Sequence, residues 1–218
     1  MDKPKTEQAS AAGIARLWLL PLLFAAGLAQ PAAALPSAPQ TQVQRFYATL
    51  LNTMKQGPQL GSSGRYAKLA PVVNRTFDVP FMARLAVGPG WGTLSPAQQQ
   101  QVTAAFQRYI SATYADRFDN YSGERLQVLG EAPSGSGVIV ETRIVKANGK
   151  PVTINYMMRR GGQSGWQISD VYLDGTISQL ATQRSEFYSI LQRQGVDGLI
   201  ATLNRKTDLL TKTGNSSS

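Results

Sequence analysis

Histidine and cysteine, which supply much of the catalytic and metal-binding chemistry of enzymes, are both absent from this 218-residue sequence. Without histidine there is no Ser-His-Asp triad, no imidazole base and no His-ligated metal. Without cysteine there is no thiolate nucleophile, disulfide or sulfur-ligated metal site. Acid–base chemistry would fall to carboxylates, lysine or tyrosine, and the carboxylates are scattered. Asp78, Asp174 and Asp197 lie near expected helix starts, where a negative charge favours the N-terminal dipole. Gly88-Pro-Gly-Trp-Gly92 has neither the preceding strand nor the lysine of a phosphate loop. No G-x-S-x-G elbow occurs, and Ser169-Asp170 and Ser122-Gly123-Glu124 have no base near them in sequence. No catalytic residue, cofactor or metal is expected.

One charged pair stands out. Arg184 falls on the apolar stripe of its expected helix, a turn from Leu180 and Phe187, and strand alternation puts Asp170 beside Trp166, Ile168 and Tyr172. A charge facing a core is costly unless paired. Asp170 and Arg184 are therefore expected either to form an ion pair holding helix to sheet, or to meet the polar head group of a ligand.

These residues need elements to position them. Val43, Phe46, Tyr47, Leu50, Leu51 and Met54 recur at helical spacing up to a stop at Gly57-Pro58. Gly61–Gly64 reads as a loop, Tyr66–Thr76 as a helix, and Asp78 as the cap of a short helix to Val87. Ser95 and Gln98 form a capping box with Pro96 at the first helical position. The helix they start is expected to run about 25 residues towards Gly123, with Phe106, Ile110 and Tyr114 on its broad apolar face.

The texture then turns to alternation. Strands are expected at Arg125–Gly130, Val138–Lys146, Val152–Arg160 and Trp166–Leu173, and Asn148-Gly149 marks a hairpin because a type I′ turn needs positive φ. Short connections make the sheet antiparallel. Thr176 and Gln179 suggest a second capping box, Gly195 a helix end, and Asp197 the cap of a last helix. The fold class is α+β: a twisted antiparallel sheet of about four to five strands with helices on one face, enclosing an apolar pocket or a solid core.

The first 34 residues read as a secretory signal. Lys3, Lys5 and Arg16 precede the 13-residue apolar run Leu17–Ala29, and Ala32-Ala33-Ala34 offers a cleavage site. A membrane-spanning helix wants about 20 apolar residues and no proline such as Pro21. Residues 35–41 read as a flexible lead-in, 42–212 as one domain and 213–218 as a disordered tail. The expected location is the periplasm after cleavage. Residues 35–218 retain 19 Lys and Arg against 11 Asp and Glu. That balance favours acidic partners, and export directs it away from nucleic acid towards an anionic membrane surface or acidic protein faces.

Several blocks resemble a known family. Val152-Thr-Ile-Asn-Tyr-Met-Met-Arg159, Trp166-Gln-Ile-Ser-Asp-Val-Tyr-Leu-Asp-Gly-Thr-Ile-Ser178, Gln183-Arg-Ser-Glu-Phe187 and Gly195-Val-Asp-Gly-Leu-Ile200 are similar to the MlaC (toluene-tolerance) family of periplasmic lipid-binding proteins. Arg65-Tyr66, Phe77-Asp78, Met82–Gly88, Trp91, Ala112–Ala115 and Leu173–Phe187 resemble its hopanoid-associated HpnM branch more closely. The resemblance spans roughly residues 42–212. It implies a non-catalytic carrier that takes phospholipid or hopanoid from one membrane-bound lipid transport complex and delivers it to another.

If such a pocket exists, strand parity and helix faces predict that Phe81, Leu85, Phe106, Ile110, Tyr114, Ile154, Tyr156, Met158, Ile168, Leu180 and Phe187 line it. Two alternatives remain open at this point: an adaptor with a solid core acting through its surface, and an enzyme using Asp170 and a tyrosine. The basic surface predicts that association with vesicles of anionic lipid weakens as salt is raised, measurable by co-sedimentation. Binding indifferent to salt contradicts that reading of the charge.

Overall fold

The computed structural model describes residues 37–161 and 165–212. The expected signal at 1–34 and the tail at 213–218 lie outside them. Among the described residues no helix is long and apolar enough to cross a membrane.

Four helices come first. Helix α1 (Ala38–Lys55) is capped by Ser37, whose hydroxyl accepts from Gln40 N at 3.3 Å. It buries Val43, Phe46, Tyr47, Leu50 and Met54 along one stripe. The expected lead-in at 35–41 is thus already helical from Ala38, because Ser37 followed by Pro39 in the first turn is itself a start signal. Helix α2 (Gly57–Thr76) is broken at Gly61 (φ 59°) and resumes at once, so Gly61–Gly64 is a kink rather than a loop. Helix α3 (Val79–Val87) is capped by Asp78, which accepts from Phe81 N at 3.2 Å. A 3₁₀ segment, Gly88–Thr93, leads to α4 (Pro96–Arg117). The Ser95/Gln98 capping box forms in both directions, at 3.2 and 2.9 Å.

A five-stranded meander follows in the order β1-β2-β3-β4-β5, with every neighbouring pair antiparallel. The strands are β1 (Arg125–Ser134), β2 (Gly137–Val145), β3 (Pro151–Arg160), β4 (Trp166–Leu173) and β5 (Ile177–Ser178). Val140, Thr142 and Ile144 are buried while Glu141 and Arg143 are exposed, so one face is covered and the other meets solvent. A bulge between Met157 and Met158 leaves Ser169 unpaired in β4. The chain ends in α5 (Gln179–Lys212), which turns sharply at Gly195 (φ 67°). Lys206 pairs with Glu186 across that bend.

The helices lie on the covered face. Helix α1 packs on β1, β2 and β4, while α4 packs chiefly on α2, α3 and α5. Arg65, buried in α2, fixes where α4 ends: its guanidinium donates to Ala115 O at 2.8 Å and Gly57 O at 3.2 Å. The carbonyls in the last turn of a helix lack intrahelical partners and carry the negative end of its dipole, so a cation there is favoured. Gly57 is held tightly, since a Cβ on it would stand 1.7 Å from Asp119 O. Gly57→Ala is expected to lower stability by at least about 2 kcal/mol, measured by denaturant unfolding. Gly92→Ala, with nothing within 4 Å of the new methyl, should shift it by less than about 0.5 kcal/mol.

Candidate functional site

Between α4 and α5 on one side and β3 and β4 on the other lies a cavity of about 180 Å3. Met82 of α3, Phe106, Ile110, Tyr114 and Phe118 from or just past α4, Ile154 and Tyr156 of β3, Val171 and Leu173 of β4, and Leu180 of α5 give it an apolar wall. Tyr109, Thr113, Arg117, Gln179 and Gln183 complete it, and Arg117 is exposed to solvent. Strand register explains the sheet side: Ile154 opposes Leu173 and Tyr156 opposes Val171, so these four side chains share one face.

Six of the eleven residues expected to line a pocket do so: Phe106, Ile110, Tyr114, Ile154, Tyr156 and Leu180. The other five do not. Met158, Ile168 and Phe187 are fully buried core, and Phe187 backs Phe106 edge-on with centroids 5.2 Å apart. Leu85 is 37% exposed. Phe81 sits under the Arg159 guanidinium, 4.1 Å from the ring centroid, and Arg159 also pairs with Asp78 at 2.5 Å. The residues that sequence reasoning missed include Val171 and Leu173. Strict alternation along β4 assigns them to the opposite face, and the bulge at Ser169 reverses that assignment.

The same bulge disposes of the expected Asp170–Arg184 pair. Asp170 falls out of step with Ile168, and its carboxylate accepts from Val171 N (2.7 Å), Ser178 Oγ (2.6 Å) and Leu180 N (3.0 Å). Ser178 Oγ accepts from Ala181 N at 2.9 Å. Asp170 and Ser178 therefore start α5, in place of the expected Thr176/Gln179 box. Arg184 is exposed and lies against Gly88, its Nε 3.5 Å from where a Cβ on that glycine would be. With three donors on its two oxygens, Asp170 is placed as a helix cap and not as a base facing the cavity.

An aromatic cluster closes one end of the cavity. Phe46 meets Phe77, Tyr114 and Tyr156 edge-on at 5.5, 5.2 and 6.4 Å, and Tyr114 stacks on Phe118 at 5.7 Å. Tyr47 bonds Thr142 Oγ1 at 2.6 Å, and Thr142 Oγ1 donates to Ile154 O. Tyr156 Oη is buried beside the Tyr47 and Tyr114 hydroxyls, and both act on its ionisation. Burial pushes the phenols of Tyr47, Tyr114 and Tyr156 above the usual tyrosine range.

Comparison with known proteins bears on this site. The family model for the MlaC protein matches residues 44–205. The intermembrane phospholipid transport system binding protein MlaC of Haemophilus influenzae is 28% identical over 141 residues, covering 63% of this chain. The chain spans 64% of the length of that curated relative. Among solved structures, a phospholipid-binding protein from Ralstonia solanacearum, determined in complex with a phospholipid, superposes with a TM-score of 0.67. It is 24% identical, and the match covers 81% of this chain and all of that one. At that identity the likeness is one of fold.

The tyrosine cluster predicts how the protein responds to alkali. A phenol whose folded pKa lies above its unfolded value of about 10 stabilises the fold fully below that pH and loses the contribution as pH rises further. Tyrosinate absorbance and far-ultraviolet circular dichroism, followed together above pH ~10, should show the last tyrosines ionising only as the fold is lost. Ionisation of all eight tyrosines in a protein that stays folded contradicts this.

Proposed function

The chain belongs to the MlaC family, and from that premise we propose that it is a periplasmic carrier that shields the apolar part of a phospholipid between membrane-bound transport complexes of the inner and outer membranes. The observation that carries the reading is the apolar cavity between α4–α5 and β3–β4. The phospholipid transport named for the Haemophilus relative, and the ligand of the Ralstonia structure, support the same reading.

Magnitudes say how the cavity would work. An apolar cavity of about 150 Å3 is enough to bind benzene, whereas sites for drug-sized ligands run to roughly 300–1,000 Å3. At about 180 Å3 this cavity takes part of one acyl chain as it stands. Loading a whole tail requires α4 and α5 to part from β3 and β4. Each methylene buried contributes about 0.8 kcal/mol, so ten are worth roughly 8 kcal/mol against the cost of that opening. Arg117, exposed among the lining residues, is the natural partner of a head-group phosphate.

The carrier acts by binding and release, without a chemical step. The sequence similarity of Leu173–Phe187 to the hopanoid-associated branch keeps a polycyclic tail as the second reading, and lipid competition separates the two. Export follows from the apolar run and Ala32–Ala34 of the leader. The test is uptake of a fluorescent phosphatidylglycerol from donor vesicles. Wild-type protein should extract it. Ile154→Asp and Phe106→Asp, which put a charge into the wall, should cut extraction at least about tenfold. Full extraction by either variant, shown to be folded, refutes this lining.

A further inference from the structure

Charge and exposed apolar surface meet where α3 passes α5. Arg184 of α5 lies against Gly88, the residue that ends α3, with its Nε 3.5 Å from where a Cβ would stand. One helical turn back from Gly88 come Arg84 and Leu85, and one turn on from Arg184 comes Tyr188. All four side chains are exposed, Leu85 by 37% and Tyr188 by 62%. Leu85 has no place in the cavity wall, and Tyr188 has none in the core.

Neither arginine is neutralised. Among the described residues the ion pairs are Arg159–Asp78 and Lys206–Glu186, so the carboxylates of Asp78 and Glu186 are already taken. Arg84 rests over the Phe81 ring, 5.6 Å from its centroid, and Arg159 covers the same ring at 4.1 Å. Stacking of this kind orients a guanidinium and leaves its charge free for an anion. A single exposed apolar residue needs no explanation. Two within a turn of one contact, flanked by two arginines without acid partners, make a face with a definite chemistry.

We propose that this α3–α5 face docks on the surface of an anionic bilayer. Guanidinium groups bind lipid phosphates, and each basic side chain at such a surface improves binding roughly fivefold. Tyrosine favours the depth of the head groups, where its ring is buried and its hydroxyl stays wet, and leucine buries just beneath them. An acidic protein would also attract the arginines. It would need a shaped counterpart for Leu85 and Tyr188, which stand on neighbouring helices, whereas a bilayer needs none. The same two helices carry Met82 and Leu180 to the cavity wall, so docking here sets the cavity beside its source of lipid. The proposal rests on the carrier reading for its purpose, but vesicle binding is measured apart from lipid extraction, so the failure of one leaves the other standing.

The experiment is co-sedimentation with vesicles of equal parts phosphatidylglycerol and phosphatidylcholine. Wild type should bind these and ignore phosphatidylcholine alone. Arg84→Gln combined with Arg184→Gln should weaken binding at least about tenfold. Arg125→Gln combined with Arg143→Gln removes the same charge from the solvent-facing side of the sheet, and should weaken it less than about threefold. Equal losses in the two pairs mean attraction by net charge without a face, and overturn the proposal. So does undiminished binding by the Arg84/Arg184 variant, or no binding by wild type. Because the chain has no cysteine, Leu85→Cys or Tyr188→Cys carries a single environment-sensitive dye. Its emission should shift to the blue on the mixed vesicles, while a dye on Arg143→Cys should not shift. No shift at either Leu85 or Tyr188 overturns the docked face. Retention on immobilised polyglutamate through Arg84 and Arg184, without vesicle binding, assigns the face to an acidic protein and overturns the bilayer.

Discussion

The cavity exists because an aromatic wedge fills only part of the covered sheet face. Phe46 meets Phe77, Tyr114 and Tyr156 edge-on and Phe77 meets Tyr114 at a tilt, drawing α1, α4 and the residue after α2 against β3. Edge contacts between rings have a preferred geometry and are worth about 0.5–1.5 kcal/mol beyond the area they bury. Tyr47 adds a polar anchor through Thr142 to the backbone of Ile154. A rigid support of this kind answers the problem that any empty apolar cavity faces, which is that protein interiors favour close packing. Beyond the wedge, α4 is held by helices rather than by the sheet. Arg65 ties its C-terminal end to α2, and the Phe106–Phe187 contact joins it to α5.

The other wall depends on where α5 begins. Asp170 accepts from Leu180 N and Ser178 Oγ, which sets the helix start against β4 and brings Leu180 and Gln183 onto the cavity. A bulge in the strand is what frees Asp170 for this role, and it turns Val171 and Leu173 towards the cavity at the same time. One irregular residue, Ser169, thereby shapes both the apolar wall and the helix that faces it. Bulges commonly re-aim side chains in this way.

The parts of this architecture legible in the sequence are those with local causes. The Ser95/Gln98 box, the Asp78 cap, the break at Gly195 and the hairpin at Asn148-Gly149 follow from the conformations those residues favour, although in that turn Gly149 takes positive φ and Asn148 does not, so it is not the expected type I′. Period-two alternation was enough to place Ile154 and Tyr156 on the cavity face. The misreadings have non-local causes. Nothing in Trp166–Leu173 announces a bulge, because it arises from pairing with β3 and from the Phe77 backbone joining Ile168 in a short parallel bridge. Phe81 has the same apolar signature as Phe106, yet Arg159, distant in sequence, covers it. Met158, Ile168 and Phe187 share a face with true lining residues, and only the packed structure separates core from cavity wall. Periodicity reports which face a residue takes, not whether the space in front of it is filled.

The central claim is that lipid tails occupy the space between α4–α5 and β3–β4. Photo-crosslinking tests it most directly, using a phosphatidylglycerol with a diazirine near the end of one acyl chain and peptide mapping of the adducts. The account predicts labelling concentrated on peptides carrying Phe106–Phe118, Ile154–Tyr156 and Val171–Leu180. Labelling confined to the solvent-facing side of the sheet, or labelling of exposed residues alone, contradicts it.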